Sequence, residues 1–115
     1  EWLAIINEFG GQIAQTYGVP VEQVQEGIRH GVRKVNIDTD LRLASTGAIR
    51  RFMAQNPAEF DPRKYLAHTI TAMKDICIAR YEAFGTAGNA GKIKVRSLAD
   101  MQTAYDSGAL TPAVN

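Results

Sequence analysis

Apolar residues recur at helical spacing over most of this chain and alternate with polar ones in one short stretch. In "PVEQVQEGIRHG", residues 20–31, Val21, Val24 and Ile28 form an i, i+3, i+7 stripe. Pro20 suits a first helical turn there and Gly31 suits an end. "VRKVNID" follows, with Val32, Val35 and Ile37 placed as in a strand. A second helix is predicted from near Asp40 through Leu41, Leu43, Ala44, Ala48, Ile49, Phe52 and Met53, stopped by Asn56-Pro57. "DPRKYLAHTITAMKDICIARYEAFG" predicts a third, longer helix, with Asp61 as N-cap, Pro62 as first residue and Gly85 at the end. Tyr65, Leu66, Ile70, Met73, Ile76, Cys77, Tyr81 and Phe84 keep its helical spacing. "GTAGNAGK" reads as a flexible connector. Ser97 with Asp100 has the form of a capping box for a last helix over residues 98–107, closed by Gly108, and "TPAVN" reads as a loose tail.

Helix, strand, helix with short joints is the repeating unit of a parallel α/β fold. Only one strand is evident, and a parallel strand needs neighbours on both edges and helices on its faces. The expectation is the tail of a larger α/β protein, completed by residues outside this chain or by another chain. A full barrel of this type takes about 250 residues. "EWLAIINEFGG" offers no natural helix start and reads as a chain entered midway. The expected division is a last strand-and-helix region over 1–56, a long helix over 57–85, and a connector with a terminal helix over 86–115.

Composition narrows the partners. The chain has 115 residues, 45% hydrophobic and 22% charged, with a formal net charge of +1. No strong field invites nucleic acid or a membrane surface. Arg50-Arg51 and the Lys92, Lys94, Arg96 run are too short for a polyanion tract and read as solvated surface. The single cysteine, Cys77, excludes an internal disulfide and reads as a small buried hydrophobe of a cytoplasmic protein. These residues read as containing neither a signal-peptide pattern nor an apolar run long enough to span a bilayer.

The end of the expected strand carries the candidate chemistry. In "KVNIDTDLR", Lys34 to Arg42, side chains alternate, so Val35 and Ile37 share one face and Lys34, Asn36 and Asp38 share the other. In a helix-wrapped barrel the apolar set packs outward, and the polar set rises inside to the C-terminal mouth, where barrel enzymes keep their active sites. A lysine, an amide and a carboxylate there are costly unless they pair or bind something. Asp38, Thr39 and Asp40 then lead into a helix whose free N–H groups suit a phosphate. The plainer alternative is that Asp38 and Asp40 cap the helix and Lys34 pairs with Asp38.

"GVRKVNIDTDLR", with "DPRKYL" about twenty residues later, resembles the C-terminal end of the class II, metal-dependent fructose-bisphosphate aldolases. "GTAGNAGKIKVRSLADMQTAYDSGAL" is similar to the Calvin-cycle-type branch. The resemblance implies an α/β fold: the C-terminal part of a (β/α)8 TIM barrel, its last strand and helix, plus a C-terminal helical extension. It implies a cytoplasmic lyase of glycolysis, gluconeogenesis or the Calvin cycle, cleaving fructose 1,6-bisphosphate reversibly to dihydroxyacetone phosphate and glyceraldehyde 3-phosphate. A divalent metal, usually zinc, polarises the ketone, with its ligands outside this chain. Asn36 would bond the reacting triose near its enediolate. Ile37, Asp38 and Thr39 would line the triose-phosphate site, with backbone N–H groups on the phosphate, and Lys34 would support the pocket. Arg63 would reach across a homodimer or higher homo-oligomer to the other phosphate. The remainder of the barrel is a further implied partner.

Competing readings are weaker. By the resemblance, the metal-binding histidines lie on earlier strands, outside this chain. His30 precedes the strand, and His68 has Ala72 rather than a ligand at i+4, so both read as surface or helix-packing residues. "GTAGNAGKI" misses a phosphate loop, because Thr86 and Ile93 stand where a glycine and a Ser/Thr are required. Lys34 as a Schiff-base lysine fits "VNIDTD" less well than metal-dependent chemistry. Arg63, without the resemblance, is a first-turn arginine pairing with Asp61 or solvent. Tagatose bisphosphate is an alternative substrate. A non-catalytic phosphate-binding or subunit-interaction module is the alternative if these residues are the whole protein.

Overall fold

The computed structural model describes residues 1–16 and 18–111. The tail expected over "TPAVN" lies, after Thr111, outside the described residues. Among the described residues five α-helices follow in order: α1 Trp2–Glu8, α2 Val21–Arg29, α3 Thr39–Gln55, α4 Pro62–Ala83 and α5 Leu98–Asp106. The expected caps are in place. Asp61 accepts the Arg63 N–H at 2.9 Å to open α4, and Ser97 accepts the Asp100 N–H at 3.1 Å to open α5. Gly31, after α2, has φ +107° and Gly85, after α4, has φ +70°, a region that costs side-chain-bearing residues.

The expected strand over "VRKVNID" is not formed: among the described residues there is no β-strand, and 32–38 is a connector without regular structure. The reason lies in the backbone. A strand exists only through a ladder to a neighbour, and no second strand is here to supply one. Val32 N–H turns back to the Gly27 carbonyl at 2.9 Å instead, prolonging the end of α2.

The first residues, which offer no natural helix start in the sequence, form a short helix, α1, without any side-chain cap. Packing makes it: Ile6 is fully buried, and the Trp2 ring lies 2.7 Å from where a Cβ on Gly47 would stand. Only glycine at 47 lets the indole approach α3 so closely. Arg50 and Arg51 hold the same helix rather than forming plain solvated surface. Arg50 donates to the Phe9 carbonyl at 3.4 Å, and the Arg51 guanidinium sits 5.4 Å over the Trp2 ring. The connector over "GTAGNAGK" is also not featureless, since it holds a 3-10 turn, Ala90–Lys92, and Asn89 bonds back to the Gly85 and Ala87 carbonyls.

α3 and α4 pack along a seam of small residues, Ala44 and Ala48 against Ala72, with Trp2 and Ile76 closing its edges. The larger apolar residues that marked these helices in the sequence are left partly uncovered: Met53 is 46% exposed and Ile70 68%. Cys77, expected buried, is half-buried. The radius of gyration is 19.8 Å, against about 13 Å for a compact chain of this length. So much exposed apolar surface calls for covering structure.

Candidate functional site

The connector from Val32 to Asp38 ends at the start of α3, and the polar residues singled out in the sequence meet there. Lys34 Nζ donates to Asn36 Oδ1 at 2.6 Å. This is the same-side relation that alternation predicted for residues two apart, present here without a ladder. It also fixes what the asparagine can do. Its oxygen is occupied by a cation, so the two N–H donors of its Nδ2 remain for another group. Lys34 does not pair with Asp38, as the plainer alternative required.

Asp38 and Asp40 do not cap the helix either. Asp38 occupies the N-cap position of α3 but makes no capping hydrogen bond. Its carboxylate instead accepts from Arg42 Nε at 2.8 Å. Asp40 accepts from Arg80 Nη2 at 2.6 Å and Nε at 3.2 Å, a half-buried fork that ties the start of α3 to the end of α4. Two arginines thus draw off the carboxylates that would otherwise fill the helix start. The first intrahelical bond is Arg42 N–H to the Asp38 carbonyl at 3.0 Å. The N–H groups of Thr39, Asp40 and Leu41 have no partner among the described residues. Free donors at the positive end of a helix dipole form a site for an anion.

Two hollows flank this junction. One, about 260 Å³, is bordered by Asn36, Asp38, Thr39, Asp40 and Arg80 together with Val24 of α2. The other, about 630 Å³, is apolar and lined by Val32, Val35, Ile37, Leu41, Ile76 and Phe84 among others. Arg80 borders both. It was absent from the sequence reading because the only signal for it was a basic residue in the last turn of a helix. Gln25 was missed likewise; its Nε2 donates to the Ala83 carbonyl at 2.9 Å and pins α2 over the end of α4.

Arg63 is not brought to this junction. Its side chain is 89% exposed, and its hydrogen bonds are all to Asp61. That pairing holds the Asp61 carboxyl below its ordinary range and the guanidinium above its own, through the side-chain hydrogen bonds they share. Arg63 opens α4 whereas Arg80, beside Asp40, is near its end. At the helical rise of roughly 1.5 Å per residue they stand about 25 Å apart.

Among the described residues no three His, Cys, Asp or Glu side chains gather as a metal ion would require. His30 bonds Glu26 at 2.7 Å at the end of α2, and the His68 ring lies 4.5 Å from the Phe52 ring. The donors present therefore do not make a metal centre by themselves. No helix among the described residues is long and apolar enough to cross a membrane.

One backbone donor can be tested directly. Replacing the Thr39 amide by an ester in the full-length protein removes a single N–H and leaves the side chain untouched. A hydrogen bond to a charged group is worth about 1.5–3 kcal/mol, so the dissociation constant for inorganic phosphate should rise roughly tenfold or more. An unchanged dissociation constant would remove Thr39 N–H from the site. Thr39→Pro is a poorer probe, because Asp38 has ψ −58°, which a following proline disfavours.

A helix start stripped of its capping carboxylates, beside an amide with free donors, has the chemistry to accept an anion. Comparison with known proteins gives the family. A family model described as "Fructose-bisphosphate aldolase class-II" matches residues 15–89. The fructose-bisphosphate aldolase of Pseudomonas aeruginosa is 73% identical over 115 residues, which is 100% of this chain and 32% of that protein. That of Stutzerimonas stutzeri is 72% identical over the same span. A sequence named fructose-bisphosphate aldolase 2 from Rhodobacter capsulatus is 60% identical over 111 residues, 96% of this chain and 97% of that sequence. The chain belongs to the class II fructose-bisphosphate aldolase family. It spans about a third of the length of the first two relatives.

Proposed function

We propose that this chain supplies the last strand and helix of a (β/α)8 barrel, with the helices that follow, to a cytoplasmic, metal-dependent fructose-bisphosphate aldolase. The observation that carries the reading is the open start of α3, whose two aspartates are held elsewhere by Arg42 and Arg80. Residues 32–38 become a strand when neighbours on either side complete the ladder. The apolar hollow beside Val35 and Ile37 is a suitable seat for that missing structure.

The reaction is reversible cleavage of the bond between carbons 3 and 4 of fructose 1,6-bisphosphate. The C4 hydroxyl gives its proton to a base outside this chain and becomes the aldehyde; the electron pair of the broken bond passes into the triose that keeps the ketone, negative charge grows on its oxygen, and a proton returned to C3 completes the product. Asn36 donates to that triose through Nδ2, its orientation set by Lys34 at Oδ1. Ile37 and Asp38 line the triose-phosphate pocket, and the N–H groups from Thr39 onward hold the phosphate. Zinc is the proposed metal, on ligands outside this chain. Arg63 binds the second phosphate of a neighbouring subunit in a homodimer or larger homo-oligomer. Its separation of about 25 Å from the α3 junction supports action across an interface rather than within one subunit.

The test uses the full-length protein. It should cleave fructose bisphosphate, lose activity to a chelator and regain it with a divalent metal. Borohydride added with substrate should leave it active, because no imine forms. Inactivation by borohydride would make Lys34 a candidate Schiff-base residue and overturn the metal-dependent reading. Parallel assays with tagatose bisphosphate decide the epimer.

A further inference from the structure

Arg63 is a long side chain in solvent, 89% exposed and with little packing to hold its rotamer. One residue orients it. Asp61 accepts from Arg63 Nε at 3.0 Å through each oxygen and from Nη2 at 2.6 Å through Oδ2. The same carboxylate accepts the Arg63 backbone N–H at 2.9 Å. Asp61 is itself held, because its side chain is only 20% exposed and it is the N-cap of a 22-residue helix. Its backbone N–H also donates to Glu59 Oε1 at 3.2 Å, and Glu59 is in turn paired with Lys64 at 2.6 Å.

The geometry of the fork matters more than its strength. A guanidinium has five N–H groups in one plane. Asp61 takes those on the Nε and Nη2 side. Nη1 has no partner among the described residues, so the edge formed by Nη1 and the outer Nη2 hydrogen is free. That edge is a second two-pronged donor of the kind that fits a phosphate.

We propose that Asp61 is a positioning residue that grips Arg63 by the Nε and Nη2 edge of its guanidinium and presents the adjacent Nη1 and Nη2 edge to a phosphate on a sugar bisphosphate. This rests on the reading of Arg63 as a phosphate ligand and names what makes it one. The ligand and the carboxylate occupy different edges, so binding does not require the ion pair to break. The orienting cost is met within the subunit, before the substrate arrives.

Asp61→Asn in the full-length homo-oligomer is the informative variant. Asparagine caps a helix about as well as aspartate, so α4 keeps its start while the charge is lost. The expected result is a roughly tenfold rise in KM for fructose bisphosphate, an unchanged inhibition constant for dihydroxyacetone phosphate and an unchanged Tm. In an Arg63→Ala background the same substitution should add nothing. An unchanged KM in Asp61→Asn, where Arg63→Ala raises it, overturns the inference and leaves the reading of Arg63 standing. A lowered KM also overturns it, by making Asp61 a competitor of the phosphate. A rise of equal size with and without Arg63 overturns it by placing the effect of Asp61 elsewhere. If Arg63→Ala itself leaves KM unchanged, the underlying reading falls instead.

Discussion

Arg63→Ala in the full-length enzyme should lower kcat/KM for fructose bisphosphate cleavage by roughly a hundredfold or more. Two hydrogen bonds to a charged phosphate are lost, each worth about 1.5–3 kcal/mol. Binding of dihydroxyacetone phosphate should barely change, because its one phosphate is assigned to the start of α3. The separation between Arg63 and that helix start sets the decisive form of the experiment. Arg63→Ala and Asn36→Ala proteins, each nearly inactive, are mixed under conditions that exchange subunits. If Arg63 serves the neighbouring site, each mixed dimer contains one site with both residues intact. About a quarter of wild-type activity then returns at equal mixing in a two-fold dimer. No recovery despite demonstrated exchange would return Arg63 to the plainer role of a surface partner for Asp61.

Asn36→Ala should reduce turnover far more than it weakens substrate binding. In the proposed role the amide donates to an oxygen whose charge develops during bond cleavage, so its contribution would be realised mainly in the transition state. Loss of one such donor costs about 2.7–4 kcal/mol, or roughly a hundred- to a thousandfold in kcat. Lys34→Met makes a useful companion. It frees Asn36 Oδ1 and lets the amide turn, so kcat should fall, but by less than in Asn36→Ala. Steady-state kinetics with circular dichroism as a control for folding separate these outcomes. A folded Asn36→Ala enzyme with normal turnover would leave Asn36 a structural role only.

The parts of the fold that were legible in the sequence are those decided within a few residues. Asp61-Pro62 opens α4, Ser97 opens α5, and Gly31, Gly85 and Gly108 lie beyond helix ends with positive φ. Each is a contest between one side chain and the nearest backbone groups. The candidate site was half legible. Asn36 and Lys34 were placed together by alternation, and their hydrogen bond follows from it. What became of Asp38 and Asp40 was not legible. Both are good caps by local rules, and both were drawn away, one by Arg42 a turn ahead and one by Arg80 on another helix.

Local chemistry along this sequence determined where α2, α4 and α5 begin and end and which residues crowd the junction at 34–40. Tertiary structure alone decided that the uncapped segment Trp2–Glu8 is a helix, because Trp2 must first find Gly47 far along the chain. It decided that the buried centre of the seam between α3 and α4 is made of alanines, with Ile76 at its edge and the Phe52 ring against His68. It also decided that 32–38, patterned as a strand, is not one in this structure. A helix satisfies its own hydrogen bonds and can be read from the residues it contains. A strand borrows its bonds from a neighbour, and no pattern within one strand can supply that neighbour.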